Sequence, residues 1–364
     1  MLFPSAMTRR WLVSSLCAAL TLGSANARAQ WRDPGEGEVG AKGSLYTDDN
    51  ATTVWTALAD GEVGLPARAR VGAHALVDVI STASVDVVTQ ATARFDEVRV
   101  EAGGRAGMWV TEEVDLSVAM SHSQENDWES FAPSAGVSVD LFKRNTTLSA
   151  GYGFVHNRVG RSGDPNFEER LQAHTAEIGL AQVIDRRSLL DVRYTFQASL
   201  GFQSSPYRYI RSFGTVFSVL ERHPSERYRH AVTTSGLRHI ADDVALEASY
   251  RFYGDDWGVL SHTVTAGIRF ELADMVDLRG RGRFYHQRAA SFWREAYDTP
   301  MEFMSLDREL STFWDAGGGL KLGLHGDHWR ADAKVDALYY RFIDFAFLDG
   351  RIALVADVGG GISW

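Results

Sequence analysis

Cysteine is almost missing from this chain: of 364 residues only Cys17 is a cysteine. It lies inside an apolar N-terminal stretch that reads as a cleaved leader, where it serves as an apolar filler. The remainder then has no thiol, which excludes disulfides, thiolate nucleophiles and thiolate metal sites together. Long apolar runs are also missing. A membrane-spanning helix needs about 20 consecutive apolar residues, and no such run occurs. Proline is scarce, with 8 residues against 34 glycines, as suits long strands with small inward positions. Basic charge is in deficit: 37 Lys and Arg against 47 Asp and Glu give a net charge of −10. Removing a leader that carries Arg9, Arg10 and Arg28 makes the chain more acidic still. Such a balance argues against nucleic acid as a partner.

Arg9 and Arg10, the apolar segment Trp11 to Leu22 and the small-x-small triplet Ala27-Arg28-Ala29 form a signal peptide over 1–29, with the mature chain expected from Gln30. Beyond the leader the sequence alternates. Leu190, Val192, Tyr194, Phe196 and Ala198 interleave with Asp191, Arg193, Thr195, Gln197 and Ser199. The same period of two runs through 244–253, 276–285 and 329–340, with every charge on one face. A strand in a bilayer presents one face to lipid and the other to the lumen. An Arg or Lys on the lipid side at the midplane costs about 2–4 kcal/mol, and a slip of one residue would put the whole charged face there. The final segment alternates down to the last residue, with Val358, Ile362 and Trp364 on its apolar face.

The expected fold is therefore all-β: a transmembrane antiparallel up-and-down β-barrel of about 16 strands, with 14 as the alternative, forming one domain over 30–364. Tight polar turns are expected at 111–113, 143–145, 185–187, 241–243, 273–274 and 326–327, on the periplasmic side with both termini. Longer outward loops are expected near 80–94, 122–130, 157–171, 200–226 and 287–308, with shorter links at 47–50, 254–258 and 343–350. Leu237 and Ile240 break the alternation near 227–240, which suggests a bulge.

The expected lumen face carries Arg193, Glu247, Arg251, Arg269, Glu271, Asp277, Arg279, Arg281, Arg283, Asp315, Arg330, Asp332, Lys334 and Asp336. Arg68, Arg70, Asp78, Arg99, Glu101, Arg105, Asp115, Asp140, Asp191 and Lys321 join them. Two arrangements fit this mixture: a salt-bridged hydrated wall, or an arginine ladder at 279, 281 and 283 facing an acidic wall across the pore. The presence of both signs argues against strong ion selectivity.

Catalytic and metal motifs are missing. The histidines at 74, 122, 156, 174, 223, 230, 239, 262, 286, 325 and 328 form no HExxH or other ligand spacing and read as surface polar residues. The acidic pairs Asp48-Asp49 and Asp255-Asp256 lack an EF-hand pattern and read as solvated turns. The tryptophans read as girdle or rim residues. No catalytic residue, cofactor or metal is expected.

Several stretches carry a resemblance: LYTDDNATTV at 45–54, VDVVTQATARFDEVR at 85–99, GFQSSPYRY at 201–209, SYRFYGDDWGVLSHTV at 249–264, and 337–364. With these the chain resembles a bacterial outer-membrane family designated as domain of unknown function thirty-five seventy. The resemblance implies a β-barrel without an assigned activity and a link to a periplasmic lipoprotein-like, thioredoxin-like or flavin-modified partner. It singles out Ser84, Asp86, Gln90, Arg94, Ser204, Pro206, Asp255, Asp256 and Trp257 as loop-packing or ligand positions.

These readings together lead to a Gram-negative outer-membrane protein in contact with lipid, assembled by the barrel-assembly machinery through its C-terminal strand. A porin-like channel for small polar solutes is the leading expectation. The alternatives are a plugged barrel that docks a periplasmic or surface partner and, more remotely, a rim-located hydrolase.

Overall fold

A computed structural model describes residues 32–82, 95–211, 218–345 and 348–364. The leader and the candidates Ser84, Asp86, Gln90 and Arg94 lie outside the described residues. No helix among the described residues is long and apolar enough to cross a membrane.

The strands are β1 (Gly37–Asp48), β2 (Thr52–Leu65), β3 (Ala69–Thr82), β4 (Phe95–Trp109), β5 (Val114–Gln124), β6 (Trp128–Leu141), β7 (Thr146–Val159), β8 (Glu169–Asp185) and β9 (Ser188–Gly201). They continue as β10 (Tyr209–Arg211), β11 (Ser218–Leu220), β12 (Glu226–His239), β13 (Val244–Asp255), β14 (Leu260–Ala273), β15 (Val276–Gln287), β16 (Phe313–His325), β17 (Trp329–Phe342) and β18 (Gly350–Ser363). All but β10 and β11 form one closed antiparallel barrel, in which β9 pairs directly with β12 and β18 closes onto β1. The barrel thus has the 16 strands expected. β10 and β11 form a separate two-stranded antiparallel sheet between β9 and β12.

The alternation survives intact because register is fixed on both sides of each strand. Closure pairs Glu38 with Ser363 and runs unbroken to Asp48 with Ala353. The Trp364 and Gly37 backbones exchange two further hydrogen bonds of 3.0 Å. Val358, Ile362 and Trp364 are all exposed on the outer face.

Three expectations are corrected. No bulge occurs at 227–240. β12 keeps unbroken register with both neighbours, and Leu237 faces inward between Leu189 and Glu247. The register shifts fall instead in hairpins at the turn end, between Val183 and Asp185 and between Glu271 and Ala273. The stretch 122–130 is no long loop, since β5 and β6 extend through it and only 125–127 connects them. Arg68 lines no lumen; it sits in the β2–β3 turn with φ +59° and lies 3.5 Å from Glu112 of the next turn.

Candidate functional site: an ion-paired wall under a loop cap

The lumen candidates do lie together on the inner face, and they are paired within the wall. Arg281 on β15 donates to both Asp336 oxygens on β17 at 2.8 and 2.7 Å, reaching over β16. The residue between them in register is Gly319. A Cβ there would fall on the Asp336 carboxylate, so Gly319, with Gly317 beside it on the same face of β16, forms a trough that lets the pair span two strand spacings. The same device recurs elsewhere in the wall. Arg105 on β4 donates to Glu62 on β2 at 2.8 Å across Gly72 of β3, where a Cβ would lie 2.8 Å from the guanidinium.

The rest of the ladder is built on the same plan. Arg279 pairs with Glu247 and Arg283 with Asp315. Arg193 bonds Glu177 at 2.7 Å. Arg269 lies 3.6 Å from Asp277, and Arg330 lies 3.7 Å from Glu38. Lys321 lies 3.4 Å from Asp332, while Lys334 bridges Asp336 at 3.1 Å and Asp357 at 2.6 Å. Arg251 lies over the Tyr253 ring at 5.6 Å, and Glu271 stands opposite Asp277 beside the register shift. Each arginine at 279, 281 and 283 therefore meets an acid of its own wall segment, so the arrangement is the salt-bridged wall and not a field across the pore. The basic side chains remain partly solvated, Arg281 39% exposed and Arg330 60%, whereas Asp315, Asp336 and Asp357 are buried. A small cavity over the glycine trough is lined by Thr265, Arg281, Arg283 and Asp336.

At the loop end the inner surface becomes dry. The described residues of loop 202–225, which are 202–211 and 218–225, meet loop 288–312, with two backbone hydrogen bonds between Arg222 and Met304 of 3.1 and 2.8 Å. Their junction buries a charged knot. Glu221 accepts from Arg208 at 3.2 Å and from the Ser305 hydroxyl, and His223 Nε2 lies 3.0 Å away. Arg208 also lies 3.0 Å from Asp307, whose carboxylate caps the short 3₁₀ helix Arg308–Leu310 by accepting from Glu309 N. Burial alone would raise the Glu221 carboxyl, but the charges of Arg208 and His223 and the hydrogen bonds from His223 and Ser305 hold it well below the usual range. Asp307 goes the other way: burial, with Glu221 and Glu309 nearby, outweighs Arg208 and pushes it up.

The knot is fastened on both sides. Tyr207 donates its hydroxyl to Asp127 in the β5–β6 turn and accepts from Ser162 N at 2.6 Å in the β7–β8 loop. Burial, together with the bond to Asp127, raises the Tyr207 phenol to about 12. On the other flank Gln287 donates to the Glu309 and Ser311 carbonyls at 2.8 Å, and Arg351 lies 3.5 Å from Glu309 and 4.0 Å from Asp48. An aromatic cluster fills the space beneath, with Trp257, Phe292, Trp293, Phe313 and Phe342 buried in it. These contacts run around the mouth from the β5–β6 turn, through β9–β18, to the end of β1.

The remaining loop candidates are packing residues of this cap. Asp255 is buried against Arg227 at 2.5 Å and accepts from Val259 N; Asp256 accepts from Tyr228 N at 2.9 Å. Trp257 donates to the Glu226 carbonyl at 2.8 Å, with the Arg227 guanidinium over its ring. Ser204 accepts from His223 N at 2.7 Å and Pro206 is fully buried. The solvated-turn expectation therefore fails for Asp255, and for Asp48, which is buried and accepts from Thr52 N. Trp109, Trp257 and Trp293 are buried and are no girdle residues, whereas Trp55, Trp329 and Trp364 are exposed. The knot of Arg208, Glu221, Ser305 and Asp307 had no sequence signal, because its members come from two loops and share no spacing.

No curated protein matches the chain. Solved structures share its fold at low identity. A bacterial polysaccharide outer membrane secretin aligns at 10% identity with TM-score 0.52, over 90% of this chain and 98% of that one. CdiB from Acinetobacter baumannii aligns at 7% identity with TM-score 0.52, over 89% and 60%. The siderophore receptor PirA from Acinetobacter baumannii aligns at 12% identity with TM-score 0.48, over 86% and 53%, so the chain spans about half the length of that receptor. The fold is that of outer-membrane β-barrels. The family model described as protein of unknown function, DUF3570, matches residues 80–170 and 160–345, and the chain belongs to that family.

Proposed function

We propose that this barrel is a gated channel for small polar solutes, in which the cap is the gate and the ion-paired wall is the conduit. The observation that carries this reading is the gradient along the inner face. In the glycine-trough region Arg279, Arg281 and Lys321 stay 38–39% exposed although Asp336 is buried, while under the loops Gln287, Asp315 and Arg351 are all buried. A conduit of this width is water-filled unless loops or side chains fill it, and here the loops crowd one end. Paired charges of both signs suit polar solutes without strong preference for either sign. In this reading the turn end and both termini face the periplasm, the loop end faces outward, and Val358, Ile362 and Trp364 present the strand that the assembly machinery recognises.

Single-channel recording of folded protein in planar bilayers tests the proposal. Brief, infrequent openings are expected, becoming frequent when the Arg208–Glu221 knot is removed. A folded knot variant that never conducts ends the channel reading.

The capped mouth also favours a second reading, a sleeve closed outside that receives a periplasmic partner, of the lipoprotein or redox kind, from the turn end. Cross-linking from Arg330 and Lys321 positions in native membranes would recover such a partner; recovery of none ends this reading.

A further inference from the structure

The outer face repeats one arrangement that neither the channel nor the cap uses. Tyr152 on β7 bonds His174 Nδ1 on β8 at 2.7 Å. Tyr194 on β9 bonds His230 Nδ1 on β12 at 2.8 Å, and Tyr250 on β13 bonds His262 Nδ1 on β14 at 2.7 Å. In each case the residue two beyond the tyrosine is a phenylalanine packed on the same imidazole: Phe154, Phe196 and Phe252, with centroids 5.0, 5.1 and 5.4 Å away. Where the tyrosine O–H donates to Nδ1, the imidazole proton is fixed on Nε2, which becomes a donor held out from the wall. His156 and His286 lie on the same outer face near the same end, opposite Phe131 and His262.

Nearer the loop end than the first of these pairs lies a second oddity. Arg158 and Arg170 stand directly opposite each other on the outer face of β7 and β8. Like charges in directly opposed positions destabilise a sheet. Arg158 is partly offset by Glu129 at 2.9 Å and Glu168 at 3.5 Å. Arg170 is exposed and has no acid within ion-pair distance among the described residues. Descending from the loop end, the β7–β8 outer face therefore reads Arg158/Arg170, His156/Gln172, Phe154/His174: guanidinium groups, then an imidazole and an amide, then aromatics.

We propose that this face is a binding site for the phosphorylated headgroup of an outer-leaflet glycolipid. Arg170 and Arg158 would hold the phosphate, His156 and His174 would donate to phosphate or sugar oxygens, and the aromatics would lie at the acyl boundary. The Tyr–His–Phe units on β9–β12 and β13–β14 continue the same belt as weaker contacts, without an opposed arginine pair. The proposal rests on the outward orientation of the loop end, but not on conduction. Arginine suits it because its planar fork matches phosphate oxygens in pairs. A bound phosphate also offsets the repulsion between the two arginines.

The test is native mass spectrometry of the full-length barrel, folded in detergent and offered bisphosphorylated lipid A, its dephosphorylated form and phosphatidylethanolamine. Retention of the bisphosphorylated lipid alone is expected. Arg158→Gln with Arg170→Gln should cut that retention about tenfold, equivalent to about 1.4 kcal/mol. Arg170→Lys should retain an intermediate amount, and Tyr152→Phe, which frees the imidazole tautomer, should cost about twofold. Folding is checked by heat-dependent gel mobility. Equal retention of the phosphorylated and dephosphorylated lipids, or undiminished retention by the folded double glutamine variant, overturns the site. Conductance measured on the same preparations separates the two ideas: lost lipid selectivity with normal conductance sinks only this one, and the reverse outcome sinks only the channel.

Discussion

Arg281 in the wall and Arg208 in the cap hold the same charge and meet carboxylates at similar distances, 2.7 and 3.0 Å. Their surroundings differ. Arg281 keeps 39% of its side chain exposed, Arg208 only 4%, and the Glu221 side chain facing it has none. In the wall, water still reaches the guanidinium of the pair, although Asp336 is buried, and shares its cost. In the cap the ions have left water entirely, so each depends on the other. An exposed pair contributes about 0–1 kcal/mol, whereas removing one member of a buried pair costs about 3–5 kcal/mol because the survivor is left unpaired. The wall can lose a charge and remain a wall. The cap cannot, and on the channel proposal that makes it the part of the barrel able to switch.

The sharpest way to break the comparison is Glu221→Gln. It leaves Arg208 buried beside Asp307 alone and removes a charged acceptor from Ser305 and His223. The cap should lose about 3–5 kcal/mol of ordering. Limited proteolysis checks this: new cleavage is expected within 202–225 and 288–312, while the heat-dependent gel shift of the barrel stays in place. Cleavage unchanged from the parent protein would mean the knot does not hold the loops down.

Next in size is Gly319→Ala. Here the wall is attacked sterically, with all its charges left in place. The added methyl meets the Asp336 carboxylate and forces the Arg281 clip apart, at about 1–3 kcal/mol for overpacking. Gly282→Ala is the control, since its Cβ would meet nothing nearer than 3.9 Å. A lowered unfolding temperature for the first and not the second is expected in thermal scans. Equal behaviour of the two would show that the trough serves no pair.

The strands are legible in the sequence because lipid enforces their period, and so the charged inner set, from Arg193 to Asp336, falls where alternation puts it. The reason for the small residues is less visible. Gly317 and Gly319 read as small inward positions, but the clip over them emerges only once β15, β16 and β17 are in register. The cap is illegible for a stronger reason. Arg208, Glu221, Ser305 and Asp307 obey no period, and burial, which gives them their meaning, comes from loops far apart in sequence. The Tyr–His belt lies between these cases. The tripeptides Tyr152-Gly153-Phe154, Tyr194-Thr195-Phe196 and Tyr250-Arg251-Phe252 recur in the chain, yet spacing along the chain says nothing of the histidines, whose partners lie across it.

Acid should reproduce part of the Glu221→Gln effect without mutation. A carboxyl held low in the folded cap gives stability that is complete above its ordinary range, near 4.5, and is lost as pH falls through its folded value. Asp307 has the opposite sign. Its raised value means the folded cap binds that proton more tightly, so acid favours the cap at this position. The loss on acidification is therefore smaller than the loss in the variant. Hydrogen exchange, corrected for the intrinsic pH dependence of amide exchange, should show less protection in loop 202–225 at about pH 3 than at about pH 7. Strand amides near Lys334 and Asp336 should keep theirs. Asp307→Asn, by removing the opposing group, should make the acid response steeper. A shallower response would reverse the assignment of the two carboxyls.

The smallest effect is expected from Arg281→Gln in the wall. Water already reaches Arg281, and Lys334 remains 3.1 Å from Asp336 to balance the carboxylate left behind. A loss of about 1 kcal/mol or less is expected, visible as a small fall in unfolding temperature. On the channel proposal, conduction should register the change more clearly than stability, because one fixed positive charge has gone from the inner face while Asp336 stays. A modest shift of reversal potential toward cation preference is expected under a salt gradient. A stability loss as large as that of Glu221→Gln would mean that the wall is as dry as the cap, and the distinction between conduit and gate would disappear with it.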